Sequence, residues 1–200
     1  QGNLVKLFRI AETASKRARS GRHNRCEVFD AEQHRALLAR LKIERSLREA
    51  FASGRIRVHY QPEVMIADGR WTAAEALVRW VDDDGQWRPA CEFIDIAEAS
   101  GLIVPFGRCV LAEACREARH WPARDGRAPK LRVNISARQF EQTGLVEDIA
   151  AILAETGFQP GRLCVELTET VLLPDIGLAA QTLSRLRDLG ISVALDDFGV

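Results

Sequence analysis

Several classes of protein leave marks that this 200-residue chain lacks. No stretch approaches the roughly 20 consecutive apolar residues that a membrane-spanning helix needs, and no charged-then-apolar leader opens it. That excludes a membrane segment and a secretory signal from these residues. The five cysteines, Cys26, Cys91, Cys109, Cys115 and Cys164, are odd in number, form no C-x-x-C pair and have no histidines at zinc spacing. A disulfide framework and a structural zinc site are therefore excluded, and small buried thiols in a reducing compartment are expected. Excess charge is also missing, since 28 Lys and Arg face 28 Asp and Glu. The balance is uneven along the chain: residues 1–48 hold twelve bases and five acids, 12 − 5 = +7, which leaves −7 for the remainder. A basic helical segment of this kind reads as the solvated face of a linker rather than as a site for a nucleic-acid polymer. Beginning at Gln1 without Met, the chain reads as a cytoplasmic fragment whose parent could carry an anchor upstream.

What is present changes character along the sequence. "LVKLFRIAETASKRARS" (residues 4–20) keeps helical spacing until "GRHNR" breaks it. After a short "CEVFD", Asp30 opens a second helical stretch with Gln33 three residues on, which is capping-box spacing, and Gly54 supplies a stop. The spacing of Leu37, Leu41, Leu47 and Phe51 predicts a connecting helix of about six turns over residues 30–54. From Arg55 strands alternate with helices, the pattern of a mainly parallel α/β sheet or barrel. "RIRVHYQPEV", stopped by Pro62, and "TAAEALVRW" read as strands joined in a hairpin-like way. "EFIDIAEASG" and "FGRCVLAEACREARHW" read as helices, the latter with Val110, Leu111, Ala114, Cys115 and Ala118 on one stripe. "KLRVNISA", "RLCVELTET" and "ISVALDDFG" read as strands separated by the helices "LVEDIAAILAETG" and "LAAQTLSRLRDLG".

Polar groups keep step with that alternation. Asn134 to Glu166 is 32 positions and Glu166 to Asp196 is 30, close to the roughly 30 residues of one β-α-β unit. Strand ends of a parallel sheet share one face, so Glu75, Asn134, Glu166 and Asp196 are expected to converge. Acids gathered without His or Cys repel one another unless a hard cation is present, and oxygen donors favour Mg²⁺ or Mn²⁺. Asp196 and Asp197 are adjacent and point to opposite faces of a regular strand, unless Gly199 lets the backbone turn. Two cations so held are the arrangement that activates water in phosphodiester hydrolysis. Arg79, four residues beyond Glu75, shares its side of the strand and suits a substrate phosphate. Simpler roles remain open: a turn or helix cap for "DDFG", a surface ion pair for Arg79, structural ion pairs for Glu75 and Glu166.

The successive stretches "YQPEV", "AEALVRW", "CEFIDIAEASGLIVPFG", "RVNISARQF", "CVELTET" and "ALDDFG" resemble the signatures of EAL-domain cyclic di-GMP phosphodiesterases, in order, over residues 55–200. More weakly, "AETASKRARSGRHNR" resembles the closing helix of a GGDEF diguanylate cyclase domain, which gives residues 1–29 to that domain and 30–54 to a linker. The resemblance implies a (β/α)₈ TIM-like barrel with an antiparallel first strand, of which about five strands are present. It also implies a two-metal Mg²⁺ or Mn²⁺ site held by Glu75, Asn134, Glu166, Asp196 and Asp197. Glu75, Asp196 and Glu169 carry over as catalytic acids, with Glu169 steadying the loop after "DDFG" and supporting dimerisation. Gln61 and Arg79 carry over as substrate contacts. The implied activity is hydrolysis of cyclic di-GMP to linear pGpG by a homodimer, with a non-catalytic cyclic di-GMP receptor as the alternative. The chain departs from the pattern at Asp95, where the family has Pro, and at Val200, where it has Thr. It also stops short of the strands that bring a Lys, a further Glu and a Gln, so these residues alone are expected to be poorly folded and inactive.

Overall fold

The computed structural model describes residues 31–168, 171 and 175–196. The "AETASKRARSGRHNR" and "CEVFD" stretches, the Asp30 cap, Glu169, Asp197 and Val200 lie outside them. The chain divides into two units, residues 1–43 and 44–200, and the second holds every strand described here.

Helix α1 (Ala31–Ala52) has the length the spacing predicts, 22 residues. Gly54 ends it at φ 67°, donating its N–H to Phe51 while Arg55 donates to Ala50, the paired bonds of a Schellman stop that only a left-handed residue closes cheaply. Leu47 and Ala50 are buried, whereas Leu41 is half exposed.

Strands β1 (Ile56–Val64) and β2 (Trp71–Val81) form an antiparallel hairpin with Gln61 opposite Glu75. Pro62 does not stop β1 as the sequence suggested. Among the described residues β1 pairs only with β2, and an edge strand tolerates a residue without an N–H. Strand β3 (Trp87–Pro89) returns along β2 through a turn that the sequence reading missed. Asp82 builds that turn, its carboxylate accepting from the N–H groups of Asp84 and Gln86 and from Arg88 Nε at 2.8–3.0 Å. Those three donors hold the Asp82 carboxyl below the usual carboxylate range.

Helices α2 (Ile94–Ser100) and α3 (Ile103–Ala118) follow, then β4 (Lys130–Asn134). Strand β4 ends at Asn134, three residues before "ISA" would have carried it. Ser136 instead caps the short helix α4 (Ala137–Phe140) in a complete capping box with Gln139. The remainder is α5 (Leu145–Thr156), β5 (Leu163–Thr168), α6 (Ile176–Asp188) and β6 (Ser192–Asp196). The sheet order is β1-β2-β4-β5-β6, parallel from β2 onward, with β3 beside β2.

Alternation gives the sheet two unlike faces. Leu131, Val133, Leu163, Val165 and Leu167 are all buried against Leu111, Cys115, Ile149, Ile152 and Leu186 of the helices. Each such side chain contributes about 1.5–3 kcal/mol of apolar burial. The α3 stripe of Val110, Leu111, Ala114, Cys115 and Ala118 is buried as its spacing predicted. Cys91 and Cys109, by contrast, are exposed, against the expectation of buried thiols. Asp95, in the first turn of α2, is exposed.

Candidate active site

The opposite face carries the polar residues. Register places Gln61 against Glu75, Glu75 against Arg132, Asn134 against Glu166, and Thr168 against Asp196. Counting by twos along each strand puts Glu75, Arg79, Arg132, Asn134, Glu166 and Asp196 on this one face, away from the helix core. They form a staircase, each step one strand over, as expected of parallel strands with a barrel-like stagger.

Side chains join the steps. Asn134 Nδ2 donates to Glu75 Oε1 at 2.7 Å, linking β4 to β2 across 59 positions of sequence. Arg132 Nη1 donates to Glu166 Oε1 at 2.7 Å, and its Nε lies 2.8 Å from Glu63 Oε1 in an ion pair not aligned as a hydrogen bond. Glu166 is only 8% exposed. Burial, reinforced by the nearby charges of Glu75 and Asp196, holds its carboxyl above the usual carboxylate range against the opposing pull of Arg132. Arg132 was not singled out from sequence. The available signal was its place two residues before Asn134 on the same strand face.

Of the residues expected to act together, Glu75 and Asn134 are in direct contact, and Glu166 and Asp196 lie within electrostatic reach of each other. Glu75 sits in the body of β2 rather than at its end. Arg79 is half-buried, donates to the Val78 carbonyl at 2.8 Å and makes no ion pair among the described residues, where the surface salt bridge is absent. Gln61 is exposed on the edge strand. Glu169 and Asp197 lie outside the described residues. As donors, Glu75, Asn134, Glu166 and Asp196 offer the hard oxygens that Mg²⁺ or Mn²⁺ prefers. Among the described residues no three His, Cys, Asp or Glu side chains are gathered closely enough to hold an ion by themselves.

The model of one family, the EAL domain, matches residues 44–200, starting where the second structural unit starts. The chain belongs to the EAL domain family. Among its relatives, the cyclic di-GMP phosphodiesterase PdeR of Escherichia coli K12 is 35% identical over 193 residues, 96% of this chain and 29% of PdeR. The bifunctional diguanylate cyclase/cyclic di-GMP phosphodiesterase MucR of Pseudomonas aeruginosa is 32% identical over 179 residues, 90% of this chain and 26% of MucR. This EAL chain thus spans between a quarter and a third of the length of both. Among solved structures, the MucR phosphodiesterase in complex with cyclic di-GMP superposes with a TM-score of 0.75 at 33% identity, over 80% of this chain and 64% of that one. The EAL enzyme Bd1971, bound to cAMP and cyclic di-GMP, gives a TM-score of 0.77 at 26% identity, over 82% and 46%. The mixed α/β fold is accordingly that of EAL structures. No helix of the described residues is long and apolar enough to cross a membrane.

Proposed function

We propose that the protein carrying this EAL chain is a metal-dependent phosphodiesterase that hydrolyses cyclic di-GMP to linear pGpG. The observation that carries the reading is the staircase of oxygen-bearing side chains on one sheet face, tied together by the 2.7 Å contact between Asn134 and Glu75. The cyclic di-GMP complex of the MucR phosphodiesterase, similar in fold and sequence, supports the choice of substrate.

Glu75, Asn134, Glu166, Asp196 and Asp197 would hold Mg²⁺ or Mn²⁺, which would supply an activated water and neutralise the phosphate charge. The remaining work belongs to the chain. Arg79 stands on the same face as Glu75, and with no carboxylate partner among the described residues its guanidinium is available to grip a phosphate through paired hydrogen bonds. Gln61, directly across from Glu75, offers an exposed amide to the same ligand. Arg132 positions Glu166 by holding one of its carboxylate oxygens. Glu169 is proposed to steady the loop beyond β6 and to support a homodimer. The domain assignment is likewise part of this reading: residues 1–29 as the end of a GGDEF-like domain, 30–54 as a linker helix. Activity is proposed for the whole protein, in the cytoplasm, rather than for these 200 residues by themselves.

Chromatography of cyclic di-GMP incubated with the purified full-length protein and Mg²⁺ or Mn²⁺ tests the reading. Formation of pGpG that disappears in EDTA is the expected result. Tight binding of cyclic di-GMP with no pGpG under either metal would instead assign the protein as a receptor.

A further inference from the structure

At the end of the parallel strands away from Glu166 and Asp196, the loops enclose a cleft of about 810 Å³ of which the reading above uses only Arg132. Trp71 and Lys130 begin β2 and β4 there, and Arg162 leads into β5. Six of its lining side chains are cationic, Arg70, Arg119, Arg127, Lys130, Arg132 and Arg162, against one acid, Glu63.

Most of these cations meet only neutral partners. Arg162 donates from Nε and Nη2 to the carbonyls of Pro129 and Ala118 at 2.8–3.1 Å. Arg119 donates to the Thr156 carbonyl at 2.9 Å and to His120 Nε2 at 3.0 Å, and Lys130 to Ser192 Oγ at 3.0 Å. Arg127 has no side-chain partner among the described residues. A tight turn presents it: Arg124 and Arg127 exchange both backbone hydrogen bonds at 3.0 Å across Asp125 and Gly126, whose φ angles are 53° and 73°. Burial lowers the Arg162 guanidinium from its ordinary range, as for a charge lacking a counter-ion.

Beside the cations stands a fixed aromatic wall. Trp71 and Trp121 lie 5.0 Å apart between ring centroids, Tyr60 meets Trp121 edge-on at 5.3 Å, and Trp71 Nε1 donates to the Ala73 carbonyl at 2.6 Å. Guanidinium groups without carboxylate partners recognise phosphates, and indole faces stack on nucleobases. We propose that this cleft binds a nucleoside polyphosphate, its phosphates on Arg119, Arg127 and Arg162 and its base against Trp71 and Trp121. Arg132 is the one lining cation shared with the candidate active site; the phosphate contacts proposed here, Arg119, Arg127 and Arg162, lie at the other end of the strands and take no part in it.

Titration of the full-length protein with ATP, tripolyphosphate and adenosine in EDTA, followed by calorimetry and tryptophan fluorescence, tests the proposal. ATP is expected to bind saturably and to quench fluorescence, with tripolyphosphate and adenosine each at least about tenfold weaker. Arg127→Glu, which removes no side-chain hydrogen bond or ion pair among the described residues, is expected to weaken ATP by at least about tenfold at an unchanged melting temperature. Glu75→Ala is expected to keep the wild-type ATP affinity, so the result does not depend on the phosphodiesterase assay. The proposal is overturned by no saturation at millimolar ATP, by tripolyphosphate or adenosine binding as tightly as ATP, or by unchanged affinity in Arg127→Glu.

Discussion

Arg132 and Glu166 form the pair on which the polar face depends. Glu166 is almost fully buried while a third of the Arg132 side chain remains exposed, so the pair is screened on one side only. Arg132→Met leaves the carboxylate without its counter-ion. Fully buried pairs lose about 3–5 kcal/mol when broken in this way, and the partial exposure reduces the expected loss to about 1–3 kcal/mol, measured by denaturant unfolding. Glu166→Gln acts in the opposite direction. Because the folded protein holds this carboxyl above its ordinary value, the protonated form is favoured by folding and the charged form opposes it. Removing the charge is therefore expected to raise the melting temperature near neutral pH. The gain should shrink as pH falls through the raised folded value and be gone below the ordinary value of 4.5. Melting curves from pH 4 to 8 in EDTA check this, and a gain that persists in acid would be inconsistent with it. Gly107 poses a packing problem. A Cβ there would fall 2.0 Å from Gln139 Nε2, and Gln139 is itself buried and held by its bond from the Ser136 N–H. Gly107→Ala is expected to cost about 1–3 kcal/mol, visible as a lowered denaturation midpoint.

At the scale of elements, the capping box at α4 matters because it fixes where β4 stops. Ser136 Oγ accepts from the Gln139 N–H at 3.3 Å, and Gln139 Oε1 accepts from the Ser136 N–H at 3.2 Å. Ser136→Ala is expected to cost about 1 kcal/mol, and by loosening the backbone two residues from Asn134 to weaken ligand binding as well; a denaturation series paired with cyclic di-GMP titration reads both. This box also explains one misreading of the sequence. "KLRVNISA" alternates polar and apolar residues in strand fashion throughout, and only the pairing of Ser136 with Gln139 turns the chain after Asn134. Pro62 misled similarly, since a proline stops a central strand but not an edge strand, and edge position is a property of the whole sheet. Strand β3 is three residues long and exists through Asp82 and its three donors, a local signal too short for periodicity to show. By contrast, β2, β4, β5, α3 and α5 were legible, because each buries residues at a spacing that is written in the sequence, and β6 was legible from its β-compatible run although none of its side chains is fully buried. The placement of Glu75, Asn134, Glu166 and Asp196 on one face was legible for the same reason. Arg132 was not, because its importance comes from a partner 34 positions away.

Across the whole molecule, one sheet serves two purposes. Its helix-facing side is closed by leucine, valine and isoleucine, and the stability gained there tolerates acids and arginines crowded on the other side. The charged face is costly to fold, as the raised Glu166 shows, and that cost is understandable if the face binds a phosphate ester and cations. The central claim is therefore that Glu75 and Asn134 are parts of one catalytic site. Steady-state turnover of cyclic di-GMP by the full-length protein tests it most directly, comparing wild type with Glu75→Ala, Asn134→Ala and the double variant at matched folded content. The account predicts that each single change lowers kcat by at least ~100-fold, about 2.7 kcal/mol of barrier, and that the double variant loses little more than either single one. Turnover within tenfold of wild type in both single variants would contradict it.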